Sequence, residues 1–171
     1  TEDELILAIE HFLSLLAQSP YSEVASYPSI SAQKLLSNTL KLNKFEVRED
    51  SFGRIISLKE KNAVPLTYYR NNILHLFALP GLISAIVFAH VGIGQAQIRQ
   101  LLSKLYPLLQ RELFIYMSIE QALTYSESLI SSMLNMGLLS AEGERILPPD
   151  PSSKAYYSTW LLNRSIQETL H

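Results

Sequence analysis

The densest group of side chains able to bind or to do chemistry is Tyr68-Tyr69-Arg70-Asn71-Asn72, with His75 close behind. Arg70 offers a planar fork of donors suited to phosphate or carboxylate. Asn71 and Asn72 can each donate and accept hydrogen bonds. These residue types suit an anion site, and they suit equally a set of anchors at a domain interface. No glycine-rich loop and no acid–base partner lies near them in the sequence. Tyr68, Arg70, Asn71, Asn72 and His75 are therefore read as interface or structural anchors rather than catalysts.

The remaining chemistry-bearing residues are scattered. His11, His75, His90 and His171 fall in no metal-binding array, and no Gly-x-Ser-x-Gly elbow occurs. The 171 residues contain no cysteine, which removes disulfides and thiolate metal sites. No catalytic residue, metal ligand or cofactor is assigned. The net charge of −2 lacks the basic excess of a nucleic-acid module, so no nucleic-acid partner is expected. Charged residues make up only 18% of the chain, which leaves less material to solvate a surface and points to cover by another domain. Thr1-Glu2-Asp3-Glu4 runs straight into an apolar helix pattern, with no basic leader and no initiator methionine, and is read as an excerpt of a longer polypeptide.

The elements that must position these residues are mostly helical. Apolar positions 5, 6, 9, 12, 13 and 16 mark one helix face, ending before Ser19-Pro20. Ser31 caps a helix over 32–41. Phe45–Arg48 and Arg54–Leu58, joined by Asp50-Ser51-Phe52-Gly53, read as a hairpin. Pro65 opens a helix over 66–79, which Pro80-Gly81 breaks or kinks before another helix over 82–90. Gly92-Ile93-Gly94 ends that helix, and Gln95–Met117 forms a longer one, kinked or split at Pro107. Ser118 caps a helix over 119–135, stopped by Gly137. Residues 138–147 suggest a second hairpin, Pro148–Pro151 a stiff linker, and Ser153 opens a last helix to Leu170 whose inner stripe is Tyr157, Leu161, Leu162, Ile166 and Leu170. The fold class is mainly α: a multi-helix domain with two small β-hairpins. Residues 119–147 give a winged-helix-like helix–hairpin, yet Tyr125–Asn135 carries Glu127 and no Lys or Arg, which argues against a DNA-reading helix. Ile73–Val91 is free of Asp, Glu, Lys and Arg, but the proline and glycine at its middle favour buried core helices over a membrane span.

Several strings, in order, carry a resemblance: Ser31-Ala32-Gln33-Lys34-Leu35-Leu36, Leu42-Asn43-Lys44-Phe45-Glu46-Val47, Leu66-Thr67-Tyr68-Tyr69-Arg70-Asn71-Asn72-Ile73-Leu74-His75, Leu105-Tyr106-Pro107 with Glu112-Leu113-Phe114, and Gln167-Glu168-Thr169-Leu170. Together they resemble the C-terminal region of the bacterial membrane-associated glycerol-3-phosphate 1-O-acyltransferases, from about Leu5 onward. The resemblance implies a parent enzyme that moves an acyl group from acyl-CoA or acyl carrier protein to glycerol 3-phosphate. It also implies a place in phospholipid synthesis and a peripheral position on the cytoplasmic face of the bacterial inner membrane. In that family a His-x4-Asp motif supplies the general base and its orienting carboxylate. Here His11, His75 and His90 are followed at that spacing by Leu16, Pro80 and Gln95. No catalytic residue carries over. The resemblance implies one C-terminal accessory domain over 1–171, inactive alone, whose partner is the upstream catalytic domain of the same polypeptide, with a membrane surface as a further possible partner. The alternatives are a winged-helix-like regulatory module and a peripheral membrane-binding domain.

Overall fold

The computed structural model describes residues 1–170. Its elements run α1 (Glu2–Gln18), α2 (Ala32–Leu40), β1 (Phe45–Asp50), β2 (Gly53–Leu58), a 3-10 turn Glu60–Asn62, α3 (Ala63–Ala89), β3 (Ile93–Gly94), α4 (Gln95–Leu113), α5 (Ile119–Asn135), β4 (Ser140–Glu142), β5 (Arg145–Leu147) and α6 (Tyr156–Gln167). The mainly helical class with two small hairpins is what the periodicity predicts. Local signals act as expected. The Ser31 side chain accepts from the Lys34 amide at 3.2 Å. Ser118 and Gln121 form a reciprocal capping box. Gly137 adopts φ +74° just past α5. β1 and β2 pair antiparallel with Asp50 opposite Gly53, leaving a two-residue turn.

Of the break or kink expected at Pro80-Gly81, the break does not occur. α3 is one 27-residue helix with Pro80 inside it. Proline costs a helix interior about 3 kcal/mol. Leu79, Leu82, Ile83, Ile86 and Val87 are all buried around it, and each contributes roughly 1.5–3 kcal/mol when fully buried. That burial outweighs the penalty. The Ser84 hydroxyl also donates to the Pro80 carbonyl at 2.8 Å. This half of α3 is packed by α4, α5 and α6. The stretch Glu60–Ala89 is long and apolar enough to cross a membrane, with mean hydropathy 1.9. Here its second half, apolar all round, forms the core helix, while its first half is largely exposed.

Four further expectations are corrected. Of the kink or split expected at Pro107, the split does not occur, since Pro107 lies on the exposed side together with Ser103, whose carbonyl it leaves without an amide donor. α4 ends at Leu113 rather than Met117, since Phe114 turns left-handed at φ 52° with its ring 93% exposed. Ile93-Gly94 does not merely end a helix. It is a strand that pairs with β5, giving a three-stranded sheet in the order β3-β5-β4. The last helix starts at Tyr156, three residues later than Ser153, and Leu170 is exposed beyond its end while Leu162 and Ile166 are buried.

Buried hydroxyls stitch these layers together. Tyr106, at the heart of the core, donates to the Met117 carbonyl at 2.6 Å, and burial pushes its phenol up to about 12. Tyr106→Phe is expected to cost about 1–2 kcal/mol, since it leaves the Met117 carbonyl one donor short. Urea denaturation measures this directly, and a midpoint equal to wild type would refute it. Gln110 Nε2 also reaches that carbonyl at 2.8 Å, which keeps the loss at the low end.

Candidate functional site

The anchors expected from sequence all sit on the first half of α3, ahead of its buried half. Helical periodicity divides them. Val64, Tyr68, Asn71, Asn72 and His75 share one face by their spacing. Leu66, Arg70, Ile73 and Phe77 share the opposite one. The first face holds no Lys, Arg, Asp or Glu. Tyr68 is 68% exposed, Val64 is more so, and Asn71 and Asn72 are open to solvent. The Tyr68 and Tyr69 rings meet edge-on at 5.8 Å.

His75 is half-buried and continues this face into the α1–α2 loop. Its ring lies 5.3 Å from Tyr21, edge-on, and Tyr21 lies 5.4 Å from Tyr116 in the same manner. The Tyr116 hydroxyl donates to the Tyr21 carbonyl at 3.3 Å. Burial, with a smaller contribution from Tyr116, pushes the Tyr21 phenol up to about 12, so it stays neutral. Tyr21 and Tyr116 were missed by the sequence reading as parts of this face. No local pattern in the sequence links either to α3.

Arg70 serves a different contact. Its Nη1 donates to Glu168 Oε2 at 3.2 Å, and Nε and Nη2 lie 3.4 Å from Asn71 Oδ1. Glu168 also takes Arg164 at 3.2 Å. Arg70 therefore ties α3 to the end of α6. The pair is exposed on both sides, and such pairs contribute at most about 1 kcal/mol.

Among the described residues nothing near these has the makings of a base and its orienter. Among the described histidines, His11 is the one with a side-chain hydroxyl partner: Nδ1 lies 2.7 Å from Ser158 Oγ. Ser158 is only 1% exposed, so no substrate reaches it, and the pair works as a clasp between α1 and α6. Burial lowers the His11 pKa, against an opposing pull from Glu10. The unfolded chain then holds more protons there below about pH 6.5, so this residue's contribution to stability falls as the solution is acidified. His90 closes α3 as its C-cap, and His171 lies outside the described residues. Among the described residues no three His, Asp or Glu side chains converge on a point that could hold a metal.

The helix–hairpin at 119–147 does not present α5 freely. The Ser19 hydroxyl lies 2.9 Å from Ser128 Oγ and 2.8 Å from Ser132 Oγ, and the Tyr125 hydroxyl donates to the Ser19 carbonyl at 2.7 Å. The end of α1 thus covers that face, and the charges α5 carries are Glu120 and Glu127.

Residues 1–171 match the family described as the glycerol-3-phosphate acyltransferase C-terminal region. Proteins named glycerol-3-phosphate acyltransferase are similar along nearly the whole chain. The one from Pseudoalteromonas atlantica is 63% identical over 99% of this chain, that from Alteromonas mediterranea 48% over 99%, and that from Pseudomonas paraeruginosa 38% over 99%. The chain spans only 21%, 21% and 20% of the length of those relatives. No solved structure matches it. With the match running from end to end, the chain belongs to the glycerol-3-phosphate acyltransferase C-terminal region family.

Proposed function

We propose that this chain is the non-catalytic C-terminal domain of a bacterial glycerol-3-phosphate acyltransferase and that it docks on the catalytic region upstream of it. The parent enzyme takes an acyl group from acyl-CoA or acyl carrier protein and esterifies the 1-hydroxyl of glycerol 3-phosphate. It works peripherally on the cytoplasmic face of the inner membrane. The docking surface is the uncharged face of α3: Tyr68, Asn71, Asn72 and His75, continued by Tyr116. Arg70 braces that helix from behind through Glu168.

One observation carries the reading. A family match covers residues 1–171 while the chain is about a fifth of its relatives' length, and one face of the first half of α3 exposes aromatic and amide groups with no charge among them, Arg70 lying on the other face. Exposed tyrosines and amides without lysine or glutamate are the composition of an interface core rather than of free surface. The second half of the candidate spanning stretch is packed in the core, which favours membrane association through the joined protein over a spanning helix of this domain.

Acyl transfer from palmitoyl-CoA to labelled glycerol 3-phosphate tests this. Full activity is expected of the joined polypeptide, none of this chain alone, and recovery when it is mixed with the upstream region. Tyr68→Asp together with Asn72→Asp in the joined protein is expected to lower activity roughly tenfold or more, as loss of interface hot spots does. Activity in the isolated chain, or an upstream region that needs no partner, would overturn the proposal.

A further inference from the structure

Behind the docking face, α3 borders a second surface of different character. A groove of about 720 Å3 runs between α3, the end of α2 and the open end of the β1–β2 hairpin, walled by Leu42, Phe45, Leu58, Leu66, Tyr69 and Ile73. It abuts a smaller cavity of about 270 Å3 walled by Phe12, Leu74, Phe77, Leu161 and Leu162. Arg70 and Ile73 line both. From Ala63 to Phe77 the two together follow α3 for about 21 Å at 1.5 Å per residue.

The polar inventory is short. Thr39 and Thr67 each donate their hydroxyl to their own helix, to Leu35 and Ala63 at 2.9 Å. Ser165 does the same to Leu162 at 2.8 Å. No Asp or Glu lines either space. Arg70 is already engaged by Glu168 and Asn71. That leaves the Tyr69 hydroxyl and, as the one uncommitted cation, Lys44 at the α2–hairpin end. Its backbone carbonyl is pinned by Asn62 Nδ2 at 3.0 Å, and its ammonium has no carboxylate partner among the described residues.

A hydrocarbon-walled channel with one uncommitted cation at its mouth and a narrow apolar end is complementary to a single alkyl chain bearing an anionic head. We infer that this channel binds a single-chain anionic amphiphile, a long acyl or alkyl chain ending in phosphate or carboxylate, with the head at Lys44 and the tail passing Ile73 into the Phe12–Phe77 cavity. The larger space falls within the volumes typical of small-molecule sites. The far cavity is lined by hydrocarbon and by Arg70 and Ser165, which already have hydrogen-bond partners, so an extended peptide would leave its backbone groups unpaired there where an alkyl tail leaves none. A lysine ammonium acts as a point charge without the fork that would select one head geometry. The inference goes beyond the docking proposal and uses the other face of α3.

The test uses the full-length protein with alkyl phosphates of eight to fourteen carbons below their micelle concentration, dodecanoate, and uncharged dodecanol. A photoreactive dodecyl phosphate is expected to label peptides containing Leu42, Leu58 or Phe77. Affinity should climb by up to about fourfold per methylene, then level off once the far cavity is full. Lys44→Gln is expected to weaken dodecyl phosphate about fivefold and leave dodecanol unchanged. Ile73→Glu, at a position 53% exposed and so tolerant of charge, should weaken both at least tenfold. Comparison of dodecyl phosphate with dodecanoate identifies the preferred head. Labelling confined to the upstream region, an unchanged phosphate affinity in Lys44→Gln, or crosslinks showing an upstream peptide seated in the channel would each overturn the inference. Tyr68→Asp with Asn72→Asp should leave dodecyl phosphate labelling intact, so failure of docking and failure of this site give different results.

Discussion

Gly81→Ala is expected to melt about 4 °C below wild type, and Gly81→Val lower still. Alanine normally stabilises a helix by about 1 kcal/mol over glycine, so on propensity alone the sign would be opposite. Packing reverses it. A Cβ built at position 81 would collide with Ile166 Cγ1 and sit 3.0 Å from the Leu162 carbonyl oxygen. The isoleucine can rotate, but the carbonyl belongs to the backbone of α6 and cannot move without shifting that helix. α3 and α6 share the most extensive helix–helix contact in the molecule, so separating them is felt along their length. Overpacking of this kind costs about 1–3 kcal/mol, which exceeds the propensity gain. Ile166→Ala, which removes Cγ1, should cost less in the Gly81→Ala background than in wild type, and a double-mutant cycle isolates that coupling. A Gly81→Ala protein as stable as wild type would show that the two helices can separate at no cost.

The same position shows where sequence reading stops. Pro80-Gly81 has the local signature of a break, and the signature is real: proline removes a hydrogen bond and glycine weakens the turn. The helix persists because Leu82, Ile83 and Val87 are enclosed by helices distant in sequence, and glycine is present to admit α6. Features set within a few residues were legible. Ser31 and Ser118 needed only their own first turns, Gly137 only its φ, and the first hairpin only its alternation and turn. Ile93-Gly94 was not legible as a strand, because its partner β5 lies some fifty residues on and two residues carry no alternation. The candidate anchors were found as a contiguous string, but contiguity hid their division. Only the helical period sends Arg70 to Glu168 and turns Tyr68 and Asn72 the other way. The channel beside Lys44 left no trace in the sequence, since α1, α2, the hairpin, α3 and α6 each supply part of its wall.

Asn163 provides a prediction with two opposite signs at one site. It lies in α6, is 6% exposed, and its Oδ1 has no hydrogen-bond partner. A buried carbonyl oxygen deprived of a donor costs about 1–3 kcal/mol. Asn163→Leu removes that oxygen, nearly keeps the volume, and adds a better helix former. It is expected to raise the melting temperature by about 4 °C. Asn163→Asp keeps the shape and adds a charge with nothing to receive it, so at neutral pH a loss of about 3 kcal/mol or more is expected. Burial raises the pKa of the new carboxyl above its unfolded value of about 3.9. The folded state then holds the proton more tightly than the unfolded chain. The penalty is therefore smallest below about pH 3, where both states are protonated, and grows as pH rises past about 3.9 until the folded carboxyl has ionised. Melting curves of wild type, Asn163→Leu and Asn163→Asp at pH 4.5 and 7.5 separate the cases. If Asn163→Leu melts several degrees lower, Oδ1 has a donor in solution, and an ordered water bridging α6 to its neighbours is then the group to look for.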